Sequence, residues 1–202
     1  MHKYNFEGKN YEELINRIKE ELETDIDDLY IKKEETEIGL FKTKKYNLEV
    51  YKKEDIINYV KDYLIELGTL MNIDIKVEVR NKDNVLLVQM ISSNNQILIG
   101  KDGKTLNSIQ ILLKQSLNNY IDNLIINLDV SNYKEKRLKR IENLVKEIVK
   151  EVKESKIDVS LDPMNSYERR FIHNYVSEID NLTTESIGEG IERHIVIKYV
   201  EK

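Results

Sequence analysis

The sequence predicts an α+β chain of three small modules: β-α-β-β over residues 1–53, α-β-β-α-α-β over 54–131 and α-β-α-β-β over 132–202. Three observations carry that prediction. Apolar residues switch repeatedly between every-second and every-third-or-fourth spacing over short stretches, the marks of strands and helices in alternation. Punctuation is sparse, with one proline and seven glycines in 202 residues, so each of them marks a turn or an element end. Charged residues make up 34% and hydrophobic ones 40%, which suits small amphipathic elements around modest cores.

In the first module, residues 3–7 alternate as a strand and are broken by Gly8 and Asn10. Tyr11, Leu14, Ile15, Ile18 and Leu22 follow at helical spacing, then extended stretches around Leu29–Ile31 and Leu48–Tyr51 flank the segment IGLFKTKK. The second module opens with a helix from Glu54 to Leu67, with Ile57, Val60, Leu64 and Leu67 on one face and a stop at Gly68. Residues 73–79 (IDIKVEV) alternate cleanly, and the turn NKDN leads to VLLVQMI (85–91), apolar on both faces and so expected at the centre of a sheet. A short helix (96–99), a glycine-bounded turn (100–103), a helix (104–118) and a strand (124–130) complete it. The third module begins with the longest helix, Tyr133 to Glu154, striped by Leu138, Ile141, Leu144, Val145, Ile148, Val149 and Val152. A short strand (157–161), a helix opened by Asp162-Pro163 and running to Ile179, and strands near 182–187 and 193–200 around the turn GEGIE follow.

The same composition excludes several function classes. There is no cysteine, hence no disulfide scaffold, thiolate metal site or cysteine nucleophile. No run of about 18 apolar residues or signal-like segment occurs, so a soluble cytoplasmic chain without membrane insertion is expected. His2, His173 and His194 lack metal-ligand spacing, and no carboxylate pair stands out for acid–base work, so neither metal, cofactor nor enzymatic activity is expected. A net charge of −5 argues against bulk attraction to nucleic acid. Basic and acidic counts of 11 and 13 in residues 1–53, 7 and 10 in 54–131 and 14 and 14 in 132–202 make the last third the best home for a local polyanion site.

Two segments carry chemistry. In ILIGKDGKTL (97–106), Gly103-Lys104-Thr105 matches the end of a nucleotide-binding loop, but the required first glycine falls on Leu98, so a triphosphate site is rejected. What remains is a G-x-x-G turn between helices, Gly100-Lys101-Asp102-Gly103. Its glycines let a sugar-phosphate approach the main chain, the following helix offers free amides, and Lys101 and Lys104 add charge. Read blandly, the same turn is only a tight helix connection; Ile97, Ile99 and Leu106 beside it are candidates for packing bases, against the commoner reading as core. In SYERRFIH (166–173), Arg169 and His173 stand four apart on one helix face, with Arg170 adjacent and Tyr167 as a stacking candidate. The basic run 134–140 is expected to be a solvated face.

The β-α-α-β setting of the G-x-x-G turn resembles a KH domain, and the helix–strand ahead of it fits the type II arrangement. Asp102 departs from loops with basic residues at both middle positions and is expected to cap the next helix instead. The pattern Pro163, Met164, Tyr167, Glu168, Arg169, Ile172 and His173, continued by Thr184, Ser186, Gly188, Glu189, Gly190, Arg193 and Ile195-Val196-Ile197, resembles the R-three-H domain, a binder of single-stranded nucleic acid. With GKNYEELI and EIGLFK in the head, the whole chain resembles the Jag family of bacterial RNA-binding proteins, without the long charged linker of some relatives.

The resemblance implies Gly100, Lys101, Asp102, Gly103 and Lys104 as one RNA contact and Arg169, Arg170, His173 and Arg193 as the other. It also implies an RNA chaperone or regulator tied to cell-wall synthesis, elongation and division, a small KH-only protein as partner, and contact with membrane-associated cell-wall machinery. A homodimer through the KH surface, and single-stranded DNA in place of RNA, stay open. The competing reading is a protein-interaction adaptor, favoured by Asp102 and the acidic balance; the Arg169–His173 pair and Arg193 favour RNA. An enzyme of RNA metabolism lacks any metal or nucleophile constellation.

Overall fold

The computed structural model describes residues 1–38, 43–82 and 84–201. It divides into two compact units, Met1–Ser131 and Asn132–Lys202. Within the first, β1 (Tyr4–Gly8), α1 (Tyr11–Leu22), β2 (Leu29–Ile38) and β3 (Thr43–Lys52) make an antiparallel sheet in the order β1-β3-β2. Asn10 caps α1 by accepting from the Glu12 amide at 3.0 Å. Leu14, Ile18 and Leu22 then pack on Phe6, Leu48 and Val50, the residues that the register Phe6↔Leu48 and Tyr4↔Val50 places on one sheet face.

The β2–β3 hairpin is far longer than its apolar residues predict, ten residues on each side. Its outer half is held by ladder bonds and surface ion pairs instead of burial: Lys44–Glu35 at 2.6 Å, Lys33–Glu35 at 3.1 Å and, to β1, Lys45–Glu7 at 2.6 Å. Charged residues give no period-two apolar signal, which is why this half was not legible. Residues 39–42 of the expected IGLFKTKK segment and EIGLFK motif, and Asp83 of the NKDN turn, lie outside the described residues.

Next come α2 (Lys53–Leu70), β4 (Ile75–Lys82), β5 (Val85–Ser92), α3 (Asn95–Ile99), α4 (Lys104–Leu117) and β6 (Ile125–Val130). The sheet order is β4-β5-β6, antiparallel then parallel, so β5 is central as predicted. Leu86, Val88 and Met90 of β5 face a core shared with Ile56, Val60 and Leu64 of α2 and Leu106, Ile109, Leu113 and Leu117 of α4. Its two apolar faces differ in burial, since Leu87 and Ile91 on the other face are 38% and 46% exposed.

The expected end of α2 at Gly68 is corrected. The helix runs on to Leu70, and its buried stripe is Ile56, Val60, Leu64 and Gly68, leaving Ile57 and Leu67 half-buried. Gly68 is there for close approach: a Cβ would lie 2.6 Å from Ile75 Cδ1 and 2.9 Å from the Ile73 carbonyl oxygen. The first and second sheets meet where Asn81 Nδ2 donates to Tyr30 Oη at 3.0 Å and where Tyr51 and Tyr120 pack edge to face.

The second unit contains α5 (Tyr133–Ser155), β7 (Val159–Ser160), α6 (Ser166–Ser177), β8 (Leu182–Ile187) and β9 (His194–Tyr199), with sheet order β7-β9-β8. Ile141, Val145, Val149 and Val152 of α5 pack with Ile172 and Val176 of α6 and with Leu182, Ile195 and Ile197 of the sheet. Leu144, placed in the stripe by its spacing, is 48% exposed instead. Pro163 does not open α6. The helix starts three residues later, where Asn165 and Glu168 form a reciprocal capping box that outcompetes proline's preference for the first turn. No helix of the described residues is long and apolar enough to cross a membrane.

Candidate nucleic-acid interface

The G-x-x-G turn joins α3 to α4 through backbone that only certain residues tolerate. Gly100 has φ 70° and ψ −177°, a region open essentially to glycine, and a Cβ there would sit 2.1 Å from Thr105 Oγ1. Asp102 (φ 52°) and Gly103 (φ 80°) are left-handed as well. Gly103 occupies the N-cap position of α4, and Asp102, expected to cap that helix, stands one residue ahead of it. Lys101 and Lys104 are exposed and enter no ion pair among the described residues. A helix start beside two such lysines is a place where an anion is stabilised. Of the groove candidates, Ile97 is exposed and Ile99 half-buried, but Leu106 is only 3% exposed and belongs to the core, since it begins the buried stripe of α4.

In the second unit, α6 and the β8–β9 hairpin bring together the remaining candidates. Arg169 Nη1 donates to the Met164 carbonyl at 2.7 Å, and the Met164 amide donates to the Arg193 carbonyl at 3.2 Å. Arg193 Nε donates to Ser186 Oγ at 3.0 Å, and His173 Nδ1 shares a 2.7 Å hydrogen bond with Thr184 Oγ1. Thr184 and Ser186 alternate on β8 and so present one face. They extend the face that Leu182 begins in the core, which is how the sheet passes from packing to site.

All three contacts orient a basic side chain through a neutral oxygen. Elsewhere in the unit cations meet carboxylates, as in Arg137–Glu168, Lys146–Glu142 and Lys198–Glu185. Arg169, Arg170, His173 and Arg193 have no ion pair among the described residues, so the charges of Arg169 and Arg193 are held in place without a carboxylate partner. Arg170, exposed, flanks His173 at i+3. Tyr167 is 66% exposed; two residues from Arg169, it lies about 200° around the helix from that side chain, and three residues from Arg170 it neighbours that one.

Sequence reasoning missed two features. Thr184 and Ser186 appeared only as spacing in a motif, without their role as the oxygens that hold His173 and Arg193. Arg137 was read as part of a solvated face. Its Nε instead meets Glu168 Oε1 at 3.0 Å, and Glu168, 5% exposed, accepts from the Asn165 amide with its other oxygen at 3.2 Å. A buried carboxylate two residues past the helix start was the available signal, because such a group demands a partner. Among the described residues no cluster of histidine and carboxylate groups is arranged to hold a metal ion.

Comparison with known proteins gives this geometry its context. Residues 57–128 match the family described as KhpA/KhpB, KH domain, and residues 139–199 match the R-three-H domain. The chain is 34% identical over 196 residues to "RNA-binding protein KhpB" of Clostridium symbiosum, covering 94% of this chain and 88% of that one. The chain belongs to the KhpB/Jag family. A KhpB of Bacillus subtilis is 30% identical over 165 residues, 80% of this chain and 79% of its own, and one of Lactiplantibacillus plantarum 28% over 145 residues, 71% and 45%. Membership of the KhpB/Jag family thus gives the two sites their domains: the Gly100–Lys104 loop lies in the KH domain and the arginine–histidine cluster in the R-three-H domain.

Proposed function

We propose that the chain binds single-stranded RNA through two modules, the Gly100–Lys104 loop and the cluster of Arg169, Arg170, His173 and Arg193. The observation that carries the reading is that Arg169 and Arg193 are held by neutral oxygens, which keeps their positive charge for an outside anion, while Thr184 orients His173 on the same helix face as Arg169. The curated relatives of this family carry the name RNA-binding protein, and the KH loop offers a second anion contact. Each site touches few phosphates, so each binds weakly, and a strand spanning both gains through effective concentration. The domain division at residues 53 and 131 belongs to this proposal, as do a chaperone or regulatory role in cell-wall synthesis, elongation and division, a cytoplasmic location and a small KH-only partner.

The test is fluorescence anisotropy of a labelled single-stranded RNA pool at two salt concentrations. Wild type should bind with modest salt dependence, while Lys101→Glu/Lys104→Glu and Arg169→Ala/His173→Ala should each weaken binding with the circular dichroism spectrum intact. Failure of wild type to bind at low salt would sink the proposal. The adaptor reading is favoured by one observation, the open sheet face where Leu87, Ile91 and Ile125 are 38%, 46% and 58% exposed. Loss of RNA binding only in the arginine–histidine variant would assign the KH half to docking.

A further inference from the structure

The arginine–histidine cluster accounts for phosphate, and the exposed Tyr167 stands three residues from Arg170 but about 200° around α6 from Arg169. The apolar surface adjoining the cluster is the tip of the β8–β9 hairpin. Ile191 is 77% exposed there, and Ile187, the last residue of β8, is 41% exposed. Ile191 lies two residues before Arg193, which Ser186 holds, whereas Ile187 follows Ser186 and so faces the other side of β8.

The tip is a built turn. The Glu192 amide donates to the Glu189 carbonyl at 3.1 Å, and Gly188 has φ 86°, with the Glu192 carbonyl oxygen 2.8 Å from where its Cβ would be. At Gly190 a Cβ would meet nothing within 4 Å, so the tip is open on that side. Its carboxylates, Glu189 and Glu192, are exposed and repel a phosphate. A strand crossing here therefore keeps its backbone on the arginines, and the uncharged part of the nucleotide is what meets Ile191.

We infer that the β8–β9 hairpin tip, through Ile191, is a base-packing surface for the nucleotide whose phosphate rests on Arg169 and Arg193. This rests on the single-stranded RNA reading above. An aliphatic side chain has no hydrogen-bonding group, so Ile191 accepts any base by its face and selects for unpaired strands without reading sequence.

The experiment titrates the full chain with a labelled single-stranded oligoribonucleotide and with versions carrying one abasic site at successive positions. Wild type should lose affinity at one or more abasic positions. Ile191→Ser, at an exposed site and hence folded, should bind the intact strand about fivefold more weakly, the share expected for half-burying one aliphatic side chain. It should also lose the penalty at one abasic position that wild type shows, with its salt slope unchanged. The inference is overturned if Ile191→Ser binds like wild type with the same abasic profile while Arg169→Ala/His173→Ala loses affinity; the tip then faces a protein or solvent, and the RNA reading stands. If wild type binds no RNA, both fall together.

Discussion

Removing the Glu168 carboxylate should loosen α6 by an amount that its contacts set. Glu168→Ala deletes the acceptor for the Asn165 amide, half of the capping box, which costs about 1 kcal/mol. It also strands Arg137, whose side chain is 25% exposed, without its 3.0 Å partner. A charge-assisted hydrogen bond is worth about 1.5–3 kcal/mol, and partial exposure and the further contact of Arg137 put this one at the lower end. The sum, about 2–3 kcal/mol, corresponds to roughly 30- to 150-fold in an equilibrium at tenfold per 1.4 kcal/mol. Glu168→Gln keeps an acceptor for the Asn165 amide and loses only the charge, so about fivefold is expected. Hydrogen exchange read by mass spectrometry measures both, with peptides across Ser166–Ser177 reporting and α4 of the other unit as internal reference. For Glu168→Ala, acceleration below threefold in α6, or equal acceleration in α4, would refute the reasoning.

Other perturbations have equally definite outcomes. Gly100→Ala should destabilise the first unit by about 1–3 kcal/mol, since φ 70° with ψ −177° is strained for alanine and Thr105 blocks the methyl group, and a lowered melting temperature would register it. The charge reversals at Lys101 and Lys104 should leave that melting temperature unchanged and reduce the salt slope of RNA binding by about 0.7 for each phosphate no longer neutralised. Gly68→Ala should cost about 1–3 kcal/mol by overpacking against Ile75 and the Ile73 carbonyl, checked by denaturant unfolding. Alkaline pH should destabilise the first unit, because burial raises the Tyr30, Tyr51 and Tyr63 hydroxyls above the ordinary tyrosine range. The folded state holds those protons more tightly, so stability is full below about pH 10 and falls as pH rises through the raised values. Melting curves against tyrosinate absorbance test this.

Elements whose fate depends on side-chain polarity were legible in the sequence, and those that depend on a distant partner were not. The clean alternation of β4, the three-and-four stripe of α5 and the β8 bounds at Leu182 and Ile187 could be read directly, because burial writes its period into the residues. The outer β2–β3 hairpin could not, since cross-strand ion pairs leave no apolar period. Gly68 reads as a stop until Ile75 is known to press on it. For the site, the i, i+4 spacing of Arg169 and His173 placed both on one face. Which oxygens would hold these side chains depended on β8 arriving beside α6, information that no local window contains.

The parallel pairing of β5 with β6 also fixes an order of assembly. In the β4–β5 hairpin Lys82 pairs with Val85, three residues on, whereas β6 joins only after the chain has travelled through α3 and α4 and come back. Closing the longer segment carries the larger entropy loss and waits for the docked helices to repay it. The Gly100–Gly103 turn sits inside that returning segment, between the two helices. Its left-handed backbone therefore lies inside the segment whose closure carries the larger entropy loss.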